Sequence, residues 1–162
     1  MTSEFVMLLP LLFLSAGALA ILLGDVRGGA GAKPLPPLIA AAASFAAFLS
    51  FLWGRPETAA IGAGGFVAWD ALGCGAGALV ALCAGVTCLL APDALKKGDA
   101  NQPEAYALVL FAAAGMTAMV TSGNLVSVFL GLEVASLSLY VLCALSRIRA
   151  ASTEAGLKYF LA

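Results

Sequence analysis

Residues 124–146 read NLVSVFLGLEVASLSLYVLCALS, an apolar stretch long enough to cross a membrane as one helix. Glu133 stands near its middle. A charged side chain at the centre of such a helix costs about 2.5–3.5 kcal/mol on insertion-based scales. Ionisable groups at this depth are usually proton sites or partners of ions. The stretch therefore predicts a membrane-spanning helix that carries a functional carboxyl group.

The whole chain has the composition of an integral membrane protein. Of its 162 residues, 62% are hydrophobic and only 10% are charged, whereas a soluble domain carries about 25% charged residues. The spanning elements should be helices, because backbone polar groups in lipid must be satisfied within the segment. A net charge of −1 argues against nucleic acid as a partner, so the lipid bilayer is the expected environment.

Apolar segments predict an all-α protein with five complete transmembrane helices and the start of a sixth, in a single membrane domain over residues 1–162. The sixth segment has about ten residues after Thr153, too few for a ~30 Å hydrocarbon core, which needs about 20. We therefore expect the chain to be the N-terminal part of a longer protein. The predicted helices are 5–24, 35–53, 69–91, 104–122, 124–146 and 153–162.

Residues that start and stop helices support these limits. Pro92 is expected to end the third helix, and Pro103 fits the first turn of the fourth. Gly123 followed by Asn124 is typical of a helix C-terminal glycine and an N-cap. The fourth and fifth helices should therefore form a tight hairpin. Asp70 is most simply the N-cap of the third helix.

Basic residues in the loops predict the orientation of the helices. Successive loops carry two, one, two, zero and two Lys or Arg residues. The positive-inside rule places the richer loops in the cytoplasm, so the N-terminus should lie outside, in the periplasm. Glu133 then lies below the outer end of its helix. The residues counted are Arg27, Lys33, Arg55, Lys96, Lys97, Arg147 and Arg149.

Two polar residues share a helix face with Glu133. At 1.5 Å per residue, Glu133 lies roughly 14 Å from the outer end of its helix. Ser136 and Tyr140 follow at helical spacing and are placed to hold hydrogen-bonded water near the carboxyl group. A carboxyl group balanced between burial and a nearby cation can load and release a proton near neutral pH. The alternative is a permanently protonated Glu133 that makes a structural hydrogen bond between helices.

Lys158 is the second candidate, about six residues into the sixth helix. Glu154 precedes it by four residues, the favourable order for an ion pair within a helix. A local pair of this kind and a role in proton transfer are equally compatible with the sequence. If the fifth and sixth helices are antiparallel, Lys158 is level with Tyr140, and Glu133 lies about 10 Å deeper. A link between Lys158 and Glu133 should then pass through water.

No cofactor is expected in this chain. It contains no His, and its four cysteines form no C-x-x-C pair and lie in apolar runs, where Cys behaves as a small hydrophobic residue. Glycine-rich dinucleotide motifs, a P-loop and a G-x-S-x-G motif are absent. If the protein takes part in redox chemistry, we expect the electrons to move elsewhere.

The segment around Glu133 also resembles a known family. Residues 124–142, NLVSVFLGLEVASLSLYVL, are followed by EAGLKYFL at 154–161. This order is similar to the subunit N family of bacterial proton-translocating NADH:quinone oxidoreductase (respiratory complex I), whose members are antiporter-like membrane subunits. The specific part covers about forty residues. The segment 103–116 and Asp70 are in keeping with the same family, and the first two helices match it only in hydropathy.

The resemblance implies a multi-pass subunit of the bacterial inner membrane that works with other membrane subunits of complex I. In that family the fifth-helix glutamate, here Glu133, takes part in proton translocation, and the sixth-helix lysine, here Lys158, lies in the same polar region. NADH, flavin, iron–sulfur clusters and quinone would be bound by other subunits. A fragment ending at Ala162 is not expected to pump alone. A stand-alone cation/proton antiporter module and a structural membrane subunit remain as alternatives.

Overall fold

The computed structural model describes residues 2–28, 35–54, 58–97, 103–145 and 150–161. Helices dominate, and five of them, α1 to α5, are long and apolar enough to cross a membrane. The last helix, α6, has 12 residues and is shorter than a span. The elements are α1 (Thr2–Gly28), α2 (Leu35–Trp53), β1 (Ala60–Gly62), β2 (Val67–Trp69), α3 (Ala71–Lys97), α4 (Pro103–Val120), α5 (Leu125–Cys143) and α6 (Ala150–Leu161).

The third helix differs most from its predicted limits. It continues through Pro92 to Lys97, so the expectation that Pro92 ends it is wrong. Membrane helices tolerate an internal proline because neighbouring groups satisfy the freed carbonyl, and α1 contains Pro10 in the same way. The helix begins at Ala71 and not at residue 69, because Trp69 belongs to β2.

The predicted N-caps are confirmed. The Asp70 carboxylate accepts a hydrogen bond from the Gly73 N–H at 2.6 Å. The Asn124 side chain accepts one from the Ser127 N–H at 2.9 Å. Both bonds satisfy a backbone donor that the first turn of a helix leaves without an intrahelical partner. Pro103 is the first residue of α4, as its missing N–H predicted.

Small residues let the helices approach closely. The central core is formed by α1, α2, α3 and α4, with Leu14, Ala81 and Leu110 fully buried in it. Gly77 of α3 lies directly against the ring of Phe51 in α2. Half of the α4 span is buried, against 17% of the α5 span. The fourth helix is therefore surrounded, while most of the α5 surface stays open.

A short antiparallel hairpin, missed by the sequence prediction, joins α2 to α3. Ala60 pairs with Trp69 and Gly62 with Val67. The turn uses Gly64 and Gly65 at φ of 66° and 91°, backbone angles that glycine adopts without steric cost. Trp69 stacks on Phe51 with ring centroids 5.4 Å apart, and its Nε1–H donates to the Gly54 carbonyl. The hairpin is thereby attached to the end of α2.

The same hairpin is also bonded to the turn between α4 and α5. The Ala68 N–H donates to the Thr121 carbonyl at 2.8 Å, and the Gly123 N–H donates to the Phe66 carbonyl at 2.9 Å. Gly123 does not adopt the left-handed conformation expected of a helix C-terminal glycine, since its φ is not positive. It is required for another reason: a Cβ at this position would collide with the Gly65 carbonyl.

Of the seven basic residues behind the predicted orientation, Arg27 lies at the end of α1, and Lys96 and Lys97 are the last two residues of α3. Lys33, Arg55, Arg147 and Arg149 lie outside the described residues.

Candidate functional site

Glu133 is the ninth residue of α5 and lies close to the middle of that helix. Its side chain is half-buried. The face of α5 that packs on α4 consists of Gly131, Ala135 and Ser138, which are buried. Because residues two apart in a helix lie about 200° from each other, Glu133 stands almost opposite this contact face. Its carboxyl group therefore points away from α4, toward the open side of α5.

The carboxyl group of Glu133 has no bonded partner among the residues that the structure describes. Ser136, predicted to share its face, donates its hydroxyl to the Leu132 carbonyl of its own helix at 2.6 Å. This bond to the preceding turn is common for serine in helices. It leaves the hydroxyl oxygen as an acceptor for water. The hydroxyl also lies 3.3 Å from the Glu133 backbone carbonyl, but among the described residues it makes no bond to the Glu133 carboxyl group.

Tyr140 is placed by α6. Its ring meets those of Tyr159 and Phe160 edge to face, with centroids 4.9 and 5.5 Å away, the geometry that aromatic pairs prefer. These contacts set the pairing of α5 with α6 and agree with the predicted register, in which Lys158 lies level with Tyr140. Glu133 precedes Tyr140 by seven residues, or about 10 Å along the helix axis.

Lys158 forms the local ion pair that the spacing allowed. Its Nζ lies 2.7 Å from an Oε of Glu154, and the two side chains are 75% and 65% exposed. A cleft of about 470 Å³ separates the same part of α6 from α5. Among the described residues, Lys158 is therefore engaged by Glu154 and does not reach Glu133. The cleft between α5 and α6 is lined by Leu137, Tyr140, Val141, Ala144, Leu145, Thr153, Gly156, Leu157 and Phe160.

The sequence prediction missed the way in which the start of α5 is held. Besides capping the helix, Asn124 donates its side-chain N–H to the Gly65 carbonyl of the hairpin turn at 3.1 Å. Ser127 donates its hydroxyl to the Phe66 carbonyl at 3.0 Å. Both bonds join residues about 60 positions apart in the chain, so local sequence patterns carry no sign of them. The helix that bears Glu133 is thus held by the hairpin at its first turn.

Comparison with known proteins shows which sequences this chain is similar to. Residues 122–162, which include Glu133 and Lys158, match the family described as NADH:quinone oxidoreductase/Mrp antiporter, TM. Over 162 residues, or 99% of its length, the chain is 38% identical to NADH-quinone oxidoreductase subunit N of Paramagnetospirillum magneticum. The chain is thus similar to the NADH:quinone oxidoreductase/Mrp antiporter family in this segment and to a subunit N protein over nearly its whole length.

Further relatives also bear the name subunit N, so the resemblance predicted from residues 124–161 is confirmed. Identity is 36% over 163 residues, covering 99% of the chain, with NADH-quinone oxidoreductase subunit N of Rhizorhabdus wittichii. It is 42% over 110 residues, covering 68% of the chain, with the subunit N of Rhodospirillum rubrum. The chain spans 33%, 34% and 23% of these three relatives, so it covers only about a third of their length or less.

Proposed function

We propose that the chain acts as part of a membrane subunit of NADH:quinone oxidoreductase (respiratory complex I), which couples electron transfer from NADH to quinone with proton translocation. The observation that supports this most directly is a half-buried carboxyl group, Glu133, in the middle of α5, within the segment that matches the antiporter family. Glu133 is the proposed proton site.

The other predicted site residues have proposed supporting roles. Lys158, with Glu154, supplies a charge pair at the level of Tyr140, about 10 Å along the axis from Glu133. Ser136 and Tyr140 border the path between these levels and hold water there. A change of charge or hydration at one end of the path alters which form of Glu133 is favoured, because a carboxyl group responds to nearby charge and to burial.

The proposal also includes the membrane in which the protein lies, its orientation there and its partner subunits. The protein lies in the bacterial inner membrane with its N-terminus outside, and it contacts other membrane subunits of the complex. NADH, flavin, iron–sulfur clusters and quinone are bound by those other subunits, and electrons do not pass through this chain. The names and bacterial sources of the relatives support this setting, as do the five apolar helices.

The decisive experiment replaces Glu133 with Gln in the full-length subunit within the intact complex. We expect Glu133→Gln to lower proton uptake per electron in inverted membrane vesicles, while the complex still assembles, because the amide keeps the size of the side chain and loses its proton chemistry. Glu104→Gln is the matched control, since Glu104 is in the first turn of α4, far from mid-membrane. Normal pumping by Glu133→Gln would contradict the proposal.

A cation/proton antiporter module is the second candidate, because the matching family description also includes Mrp antiporters. It predicts proton flux that depends on sodium or potassium in vesicles that receive no NADH. Flux that requires NADH oxidation, and that is insensitive to the cation, would favour the complex I role.

A further inference from the structure

The fourth and fifth helices touch each other through their backbones at one point. A Cβ added to Gly115 of α4 would lie 2.6 Å from both the Gly131 carbonyl oxygen and the Ala135 nitrogen of α5. A Cβ added to Gly131 would lie 2.7 Å from the Gly115 carbonyl oxygen and 2.9 Å from the Met119 nitrogen. An ordinary contact of this kind is about 3.5–4.0 Å long. The two glycines therefore permit an approach that any side chain would prevent.

This contact cannot be relieved by rotating a side chain, because most of the atoms that a new methyl group would meet belong to the backbone. One helix would have to move away from the other by about 1 Å to restore ordinary contact distances. The first turn of α5 is held by Asn124 and Ser127 on the hairpin. A methyl group at Gly131 would therefore displace the middle of α5 while its outer end stays in place.

Glu133 follows Gly131 by two residues and stands on the opposite side of the helix. Any outward shift or rotation of α5 at Gly131 is therefore transmitted directly to the carboxyl group. The contact fixes two quantities at once: the distance of Glu133 from the axis of α4 and the direction in which its carboxyl group points.

We propose that Gly115 and Gly131 are positioning residues for Glu133, which hold its carboxyl group in register with the proton path through a backbone contact between α4 and α5. This inference rests on the proposed function of Glu133. It assigns a positioning role to two glycines that have no reactive side chain. It also requires proton transfer to be sensitive to displacements of about 1 Å, since misplacement by this distance is enough to lower the rates of enzymes.

The test uses the intact complex in inverted membrane vesicles with four variants of the full-length subunit: Gly131→Ala, Ala135→Val, Gly75→Ala and Glu133→Gln. Ala135→Val enlarges the same helix contact one turn farther on and serves as a second displacing change. Gly75→Ala is the matched control, because a Cβ at Gly75 meets nothing within 4 Å. Four quantities are measured: subunit content, NADH:quinone electron transfer, protons taken up per electron, and the pH dependence of that ratio.

We expect Gly131→Ala and Ala135→Val to lose part of the proton uptake per electron and to shift its pH dependence, with the subunit still present. Gly75→Ala should match the unmodified complex in all four measurements. The inference is overturned if Gly131→Ala pumps normally, or if pumping falls only in proportion to subunit content with an unchanged pH dependence. If Gly131→Ala fails to assemble, Ala135→Val decides by the same criteria. Normal pumping by Glu133→Gln overturns the proposed function itself, whatever the glycine variants do.

Discussion

Asn124 has more polar contacts in the structure than its place at the start of a helix requires. Its side-chain oxygen accepts from the Ser127 N–H at 2.9 Å and lies 3.0 Å from the Ser127 hydroxyl, whose single proton is shared with the Phe66 carbonyl. Its side-chain nitrogen donates to the Gly65 carbonyl. An N-cap needs only the acceptor. The donor is used for a tertiary contact, which explains why an amide stands where serine or aspartate would cap equally well.

Two substitutions separate these tasks. Asn124→Ala removes both and should lower the free energy of unfolding by about 1 kcal/mol or more, since loss of an N-cap alone costs about 0.5–2 kcal/mol. Asn124→Asp keeps the acceptor and loses only the donor to Gly65, so it should retain most of that stability. Unfolding of the purified chain by SDS in mixed micelles measures both, with Asp70→Ala as a cap-only reference. Equal stability of all variants would contradict this division.

At the scale of elements, the helices and their N-caps could be predicted from sequence, and the hairpin and the conformation of Gly123 could not. Asp70, Pro103 and Asn124 act through residues three or four positions away, within reach of a local pattern. The strands β1 and β2 have three residues each, too short for a recognisable alternation, and their stability comes from Gly54, Thr121 and Gly123, which are distant in sequence. The continuation of α3 past Pro92 was missed for a similar reason. A proline in the sequence indicates a helix end locally, but whether the helix continues through it depends on the helices packed around it.

The candidate site, too, could be predicted only where it depends on residues close together in the sequence. The position of Glu133 in mid-helix and the Lys158–Glu154 pair follow from spacing alone. The direction of Glu133 does not, because it depends on which face of α5 meets α4, and that face is decided by the contact between Gly115 and Gly131. Glycine in an apolar helix is too frequent to mark such a contact from sequence.

Close packing between α2 and α3 gives a prediction at this scale. Gly77→Ala places a methyl group against the ring of Phe51, which is buried and stacked on Trp69. Overpacking of this kind costs about 1–3 kcal/mol, so the variant should unfold at lower SDS fractions. Gly75→Ala, two residues away with open space around it, should be neutral or slightly stabilising, since alanine is favoured over glycine in helices by up to about 1 kcal/mol. A Gly77→Ala chain as stable as Gly75→Ala would show that Phe51 can move aside freely.

On the scale of the whole molecule, the described helices form a bundle in which α4 is central and α5 is much less buried. The central α4 is covered by α1, α3 and α5, and α5 carries an exposed apolar surface that includes Leu125, Phe129 and Leu137. In a membrane such a surface faces lipid or other helices. The hairpin and the α4–α5 turn lie together at one end of this bundle, and the Pro92 end of α3 lies at the other.

This arrangement makes the proposed orientation measurable. Ile61 in the hairpin is 75% exposed, and Asp93 near the opposite end of α3 is also exposed. With the N-terminus outside, Ile61→Cys should react with a membrane-impermeant maleimide added to intact cells, and Asp93→Cys should react only after the cells are permeabilised. The unmodified chain is the control for its own cysteines. The reverse labelling pattern would show that the N-terminus faces the cytoplasm.

The hairpin has a consequence for biosynthesis. The residues that complete it, Thr121, Gly123 and Ser127, are translated long after it, since Ser127 and its partner Phe66 are 61 residues apart. Until the ribosome has delivered the α4–α5 turn, the Ala68 N–H and the Phe66 carbonyl have only water to bond with, like the exposed edge of any sheet. The bonds that complete the hairpin can therefore form only late in synthesis. A nascent chain whose fourth and fifth helices insert wrongly would present an unfinished β edge at the membrane surface, because these two backbone groups would lack their protein partners.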